Sequence, residues 1–359
     1  MTLLRLDDVR QTYKQKQSQF RRRSGLVRAV DGVTLEIKAG ETVGLVGESG
    51  CGKSTLARMM VGLEDPREGA VIFEDRDLKT LSRAERRAFH RSVQLIFQDP
   101  HASLDPRRTV AHAIAEGIRT HKLLPSSQIR ARVHELLHEV GLDASHADRF
   151  PHEFSGGQLQ RIGIARALAV RPKLLICDEP VSALDISVRA QVLNLLARLQ
   201  ASYGLAIVFI AHDLDVVHHV SDRILTMYLG KIVEEGPCEA VYGSAGHPYT
   251  RALLSAIPKR LPPGQKIDRV ILEGDPPSPI DPPSGCPFHT RCYTAVPECA
   301  ETVPQPVLLP QGNRARCLLA EEVSRSRVGH PIEVDSSPDP GLAPPTQATS
   351  SRQTTTDEE

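Results

Sequence analysis

The stretch Gly47-Glu48-Ser49-Gly50-Cys51-Gly52-Lys53-Ser54-Thr55 is a full match to the phosphate-binding pattern G-x-x-x-x-G-K-S/T. It constrains the fold because the pattern works only between a strand and a helix. The apolar run Val43-Gly44-Leu45-Val46 before it reads as the strand, and Leu56-Ala57-Arg58-Met59-Met60 after it reads as the opening of the helix. In that setting the glycines let successive backbone N–H groups and the helix N-terminus face one anion, and Lys53 adds a full positive charge. Ser54 is placed to offer its hydroxyl to Mg2+. An ordinary glycine turn has no reason to end in Lys-Ser, so the stretch from Gly47 to Thr55 is read as a nucleotide site.

The 359 residues suffice for one large domain and a substantial appendage. Lys plus Arg and Asp plus Glu each total 44, so the whole surface carries no electrostatic footprint for nucleic acid or anionic lipid. Charge interrupts the amino terminus at Arg5, Asp7 and Asp8, too early for a secretory signal. No run approaches the roughly twenty apolar residues that span a bilayer. The expectation is a cytosolic chain whose membrane role, if it has one, comes through a partner. Seven cysteines in such a compartment argue against a disulfide framework.

Residues 3–13 and 33–37 read as strands, separated by the polar segment Lys14 to Gly25, which reads as a solvated insertion, with lipid headgroups as the other reading of its basic residues. Further apolar runs lie at Val71–Phe73, Val93–Phe97, Leu174–Cys177, Ile207–Ile210 and Ile224–Met227. Several are continuous, as strands buried on both faces are, and helical patterns lie between them. Val188, Val192, Leu195, Leu196 and Leu199 make one such stripe. The alternation predicts an α/β fold with a mainly parallel sheet. Between Asp99 and Leu168 strands give way to helical spacing, as in Ile129, Val133, Leu136, Leu137 and Val140, which predicts an inserted helical subdomain. From about Pro258 proline clusters forbid long helices and predict a small loop-rich unit over 258–328; beyond 329 the Ser, Thr, Pro and acidic content predicts a disordered tail.

Two further motifs narrow the chemistry. Leu174-Leu175-Ile176-Cys177-Asp178-Glu179-Pro180 is an apolar strand ending in two carboxylates: Asp178 to hold Mg2+, Glu179 to polarise an attacking water. Ser155-Gly156-Gly157-Gln158 opens a helix and makes a second anion site from backbone N–H groups and the helix dipole. Cys51 and Cys177 read as packing residues.

With these motifs in this order the chain resembles the ABC ATPase superfamily across residues 3 to about 250, Phe154 standing where the signature more often has Leu. The resemblance implies a P-loop core with an antiparallel β subdomain and the helical insertion at about 99–168. It also implies that Gln98 links metal and water to the helical subdomain, that His212 contacts the γ-phosphate, that Tyr13 stacks on adenine, and that Ser182-Ala183-Leu184-Asp185 meets a partner subunit. Ser54, Gln98 and Asp178 would hold Mg2+. Such ATPases close head to tail, so Ser155 to Gln158 of one subunit would complete the site built on Lys53, Asp178 and Glu179 of the other.

Phe97 to Arg107, Pro180 to Gln191 and His247 to Leu254 are similar to the dipeptide and oligopeptide importer ATPases. That branch implies two integral-membrane permease subunits, a sister ATPase subunit, an extracytoplasmic peptide-binding protein, and a peripheral position on the cytoplasmic face of the membrane. Nickel, opine and glutathione importers share much of the pattern, and a soluble ABC ATPase of repair or translation is the reading from another class. The branch also carries a cysteine-bearing C-terminal extension. Here Cys286, Cys292, Cys299 and Cys317 stand at C-x5-C-x6-C-x17-C. Soft sulfur ligands suit a 4Fe-4S cluster or zinc, and the resemblance favours the cluster, with free thiols as the remaining reading. A redox sensor in which this module is primary is a further possibility.

Overall fold

The computed structural model describes residues 1–14, 25–257 and 269–326. The basic stretch within 15–24, the prolines near 262 and the tail expected to be disordered lie outside them.

The chain opens with two long strands, β1 (Thr2–Lys14) and β2 (Leu26–Lys38), both longer than the apolar runs that announced them. They pair antiparallel through several register shifts, which allow charged residues to continue the ladder past the apolar core positions. With β4 (Glu68–Phe73) and β5 (Arg76–Asp77) they form a four-stranded sheet of order β2-β1-β4-β5. The second sheet is built from β3 (Thr42–Val46), β6 (Val93–Ile96), β7 (Leu174–Asp178), β8 (Ala206–Ala211), β9 (Arg223–Tyr228), β10 (Lys231–Pro237), β11 (Val307–Leu308) and β12 (Arg314–Ala315), in the order β11-β12-β10-β9-β3-β8-β7-β6. From β6 to β9 the pairs are parallel, as the continuous apolar runs predict. Alternate residues of these strands feed two different cores. Leu174 and Ile176 of β7 face a core shared with the antiparallel sheet, and Leu175 and Cys177 face one shared with the helices.

The helices are α1 (Lys53–Met60), α2 (Arg83–Ser92), α3 (Val110–Thr120), α4 (Ser126–Glu139), α5 (Gly156–Leu168), α6 (Ile186–Tyr203), α7 (Leu214–His218), α8 (Cys238–Ser244), α9 (Pro248–Ser255) and α10 (Ala320–Arg325). Helices α3, α4 and α5 form the insertion; Ile129, Val133, Leu136 and Leu137 of α4 are buried in it. On α6, Val192, Leu195, Leu196 and Leu199 are buried as their spacing predicts, whereas Val188 at the first turn is half-buried. No helix among the described residues is long and apolar enough to cross a membrane.

The C-terminal segment adds β12 to the edge of the main sheet, where Ala315 and Arg314 pair with Glu234 and Glu235 of β10. Glu234 is a wholly buried carboxylate that takes hydrogen bonds from the backbone N–H groups of Gly246 (2.7 Å) and His247 (3.0 Å) and from Asn313 Nδ2 (2.8 Å). Burial raises its pKa and these donors oppose the rise. One side chain thereby ties β10, the start of α9 and the C-terminal segment together. The same junction buries His247, whose Nδ1 accepts from the Tyr249 N–H at 3.1 Å and caps α9.

Burial pushes the His247 pKa down to about 3. In the unfolded chain a histidine takes up a proton below about pH 6.5. Proton uptake between those two values therefore favours unfolding, and stability is lost as pH falls, with a limiting slope of about 1.4 kcal/mol per pH unit. His247→Asn keeps an acceptor for the cap and removes the titration. Urea unfolding of both chains from pH 7.5 to 5 is expected to show the wild-type advantage shrinking as the solution is acidified; a difference flat across that range would contradict the neutral, buried imidazole.

Candidate active site

The phosphate loop leaves the carboxyl end of β3 and enters α1, the position that an open parallel sheet reserves for ligands. Gly52, at the N-cap of α1, has φ 111°, and a Cβ there would clash with the Ala29 carbonyl oxygen. Only glycine fits, which explains the residue before the lysine. Lys53 is 5% exposed, and its Nζ donates to the carbonyls of Gly47 (2.7 Å) and Glu48 (3.0 Å). The ammonium is thus held inside the crown of its own loop, where an anion bound by the loop would meet it.

Asp178 ends β7 beside Ser54 and Lys53, which lower its pKa while burial, the larger influence, raises it. Its Oδ1 is buried and has no hydrogen-bond partner. An orphaned carboxylate oxygen beside a serine hydroxyl is the hard oxygen donor set that Mg2+ takes, so these residues fit the ion. The next residue, Glu179, has φ 47°, a left-handed conformation that L side chains rarely adopt; its N–H is held by the Ile210 carbonyl at 3.0 Å. That turn presents the Glu179 carboxylate to Gln98, whose Nε2 donates to Oε2 at 3.0 Å, and to His212, whose Nδ1 lies 3.6 Å from the same oxygen. Strands β6, β7 and β8 thus deliver Gln98, Glu179 and His212 from their carboxyl ends to one point.

These residues share a cleft of about 300 Å³ with Ser49, Gly50, Gly52, Lys53, Ser54 and Thr55. Val27 and Ala29 of β2 form another wall of it, and Pro279 closes it from the C-terminal segment. Tyr13 pairs with Val27 across β1 and β2 and is partly exposed, its hydroxyl donating to Glu64 Oε2 at 2.7 Å.

Ser155 to Gln158 are not among the residues of this cleft. They build the start of α5: the Ser155 hydroxyl accepts from the Gln158 N–H, and Gln158 Oε1 accepts from the Ser155 N–H at 3.0 Å, a reciprocal cap. Gly157 packs against Val188 of α6 so closely that a Cβ would clash. The loop Ser182 to Asp185 follows Glu179 directly, with Ser182 Oγ donating to the Glu179 carbonyl at 3.1 Å.

Two contacts to the phosphate loop escaped the sequence reading. The Tyr249 hydroxyl accepts from the Glu48 N–H at 2.8 Å, and Arg291 makes a two-pronged ion pair with the Glu48 carboxylate at 2.8 and 3.2 Å. His247 to Leu254 is a branch pattern, which is the available signal for Tyr249; the cysteine module brackets Arg291 without pointing to the arginine itself.

The metal expectation for Cys286, Cys292, Cys299 and Cys317 is not met by the geometry. Among the described residues no group of three or more His, Cys, Asp or Glu side chains is arranged to hold a metal ion, and the cysteines are free. The thiols lie close enough that neighbouring cysteine charges add to the raised pKa values of Cys286, Cys292 and Cys317. Burial is the larger influence and pushes Cys286 up to about 11 and Cys317 up to about 12, and it raises Cys292 as well. Cys177 is likewise pushed up to about 12 by burial, in keeping with its packing role.

Residues 30–182 match the family described as ABC transporter, and residues 233–299 match the family described as Oligopeptide/dipeptide transporter, C-terminal region. The chain is 49% identical over 306 residues to the oligopeptide transport ATP-binding protein AppF of Bacillus subtilis, a match covering 85% of this chain and 93% of the relative. It is 55% identical over 280 residues to the oligopeptide transport ATP-binding protein OppF of Escherichia coli, covering 77% and 84%. Among solved structures, the dimeric post-hydrolysis state of the ATP-binding cassette MJ0796, bound to ADP and Pi, superposes with a TM-score of 0.59 at 29% identity, covering 66% of this chain and 99% of that one.

Proposed function

The chain belongs to the oligopeptide/dipeptide group of ABC transporter ATP-binding proteins, and from that membership we propose how its parts carry out the work. Its function is ATP hydrolysis coupled to peptide import. The observation that carries the site assignment is the convergence of Lys53, Glu179, Gln98 and His212 on one cleft behind a phosphate loop, with Asp178 beside Ser54 and Lys53. Backbone N–H groups from Gly47 to Thr55 and the Lys53 ammonium bind the phosphates. Ser54 and Asp178, with Gln98, would hold Mg2+, which when bound would supply charge neutralisation at the transferred phosphoryl group. Glu179 Oε2 takes the proton of the attacking water or orients it, Gln98 holds that carboxylate in place, and His212 contacts the γ-phosphate. Tyr13 stacks on the adenine base.

The second anion site, Ser155 to Gln158, lies outside the chain's own cleft, and this supports a composite site in which it closes over the nucleotide of a second ATPase. The loop Ser182 to Asp185 would lie at that joint. The division into a cassette over 1–257, with its helical subdomain at about 99–168, and an extension over 258–328 accommodates these assignments. The partners are two permease subunits and a sister ATPase on the cytoplasmic face of the membrane, with an extracytoplasmic binding protein delivering dipeptides or oligopeptides. No nucleic acid takes part. A 4Fe-4S cluster, or zinc as the alternative, at Cys286, Cys292, Cys299 and Cys317 rests on the spacing of the four cysteines and on the resemblance of the C-terminal extension.

Purification of the tagged full chain from detergent-solubilised membranes tests the assembly. Two permeases and a sister ATPase are expected to co-purify, with ATP-dependent dipeptide uptake after reconstitution; recovery of the chain alone, or uptake confined to nickel, opines or glutathione, would contradict it. Iron, sulfide and zinc analysis of the same preparation decides the cysteine module, with metal-free folded protein excluding both ions.

A further inference from the structure

We propose that Arg291, far along the chain in the C-terminal segment, is a positioning residue for ATP binding: it holds the phosphate loop in its nucleotide-accepting shape through Glu48. The inference rests on the ATP site described above and adds to it a part from outside the nucleotide-binding motifs.

Glu48 is gripped both from within the loop and from outside it. Its N–H donates to the Tyr249 hydroxyl at 2.8 Å, its carbonyl accepts from Lys53 Nζ at 3.0 Å, and its carboxylate takes both prongs of the Arg291 guanidinium at 2.8 and 3.2 Å. The Lys53 contact and one from the Cys51 N–H to the same carbonyl at 3.3 Å lie within the phosphate loop; the other two come from α9 and from the C-terminal segment. The Arg291 side chain is 6% exposed and that of Glu48 27%, so the pair is largely shielded from water. A two-pronged guanidinium–carboxylate contact fixes direction as well as distance, which a lone ammonium would not.

Arg291 is itself firmly placed. Its N–H donates to the Phe288 carbonyl at 3.0 Å. Phe288 is wholly buried and packs its ring against Tyr228, Tyr249 and His247, with centroids 5.2, 5.4 and 5.7 Å away. The same aromatic cluster therefore carries both residues that grip Glu48. Pro279 supports the arrangement from another side: its carbonyl accepts from the Arg28 N–H of β2 at 3.0 Å, and the residue lines the nucleotide cleft. The C-terminal segment is thus fastened to both the loop and the opposite wall of the cleft.

A loop with several glycines has many shapes open to it, and only some direct its N–H groups at one anion. Apparent affinity falls in proportion to the fraction of time spent in the competent shape. Removing the Arg291 contact frees the Glu48 carboxylate, and the carbonyl that positions Lys53 moves with that residue. The loss appears in nucleotide affinity, because Glu179, Gln98 and His212 stand on other strands and keep their geometry.

The test uses the full chain, titrated with a fluorescent ATP analogue with Mg2+, and its ATP turnover in the assembled transporter. Arg291→Met and Glu48→Gln are each expected to raise the Kd and the KM for ATP about tenfold, with kcat within about twofold of wild type. Arg291→Lys, which keeps the charge and loses the fork, is expected to fall between. The double variant is expected to be no worse than Arg291→Met alone, since both remove one contact. Glu48→Gln is made on the loop and keeps the reading decidable if Arg291→Met folds poorly. Wild-type binding of the analogue establishes the site itself. With that binding present, Kd values within twofold of wild type for Glu48→Gln, or additive effects in the double variant, overturn the positioning role, including where the melting temperature has dropped.

Discussion

Glu179→Gln is expected to slow ATP turnover by about 10² to 10⁴-fold while leaving nucleotide binding intact. The amide keeps the size of the carboxylate and loses its ability to accept the proton of the attacking water. Lys53, Ser54 and Asp178, the residues proposed to contact phosphate and metal, are untouched. The variant should therefore accumulate with ATP bound and with the two ATPase subunits closed, which gel filtration of the assembled pair with and without ATP would register. Undiminished turnover would remove Glu179 from its role. Lys53→Ala is the contrasting change: it takes the one buried cation from the loop and should abolish binding of the nucleotide itself, so the two variants separate retention from chemistry.

Their separation rests on geometry that was partly legible beforehand. The strand-loop-helix around Lys53 could be read because its residues are contiguous and each type has one physical use. Asp178 and Glu179 could be read because they end a strand so apolar that two carboxylates there needed a reason. The parallel strands announced themselves through continuous burial. What could not be read has a common cause, which is that its determinants are far apart or too short to form a pattern. The pairing of β12 with β10 involves two residues, Arg314 and Ala315, too few to show alternation. Strand β10 carries Lys231, Glu234 and Glu235, and burial of Glu234 depends on donors from Gly246, His247 and Asn313 that no local window contains. The contact between Glu48 and Arg291 joins positions 243 apart and leaves no periodic trace. For the four cysteines, number and spacing are properties of the chain, but ligation needs side chains that converge, and among the described residues no group of three or more His, Cys, Asp or Glu is so arranged.

The helix start at Ser155 tests the central claim, that ATP is held between two subunits. Within one chain Ser155 caps α5 and lies outside the cleft that contains Lys53. Ser155→Arg removes the cap, at a cost of about 0.5–2 kcal/mol that a domain of this size tolerates, and places a bulky cation where a second nucleotide's phosphate would approach. The decisive measurement is the comparison of two readouts on this variant: Mg-ATP affinity of the isolated chain and ATP turnover of the assembled transporter. A composite site predicts wild-type affinity in the isolated chain together with a severe loss of turnover in the assembly. Loss of affinity in the isolated chain, or turnover unchanged in the assembly, would contradict it.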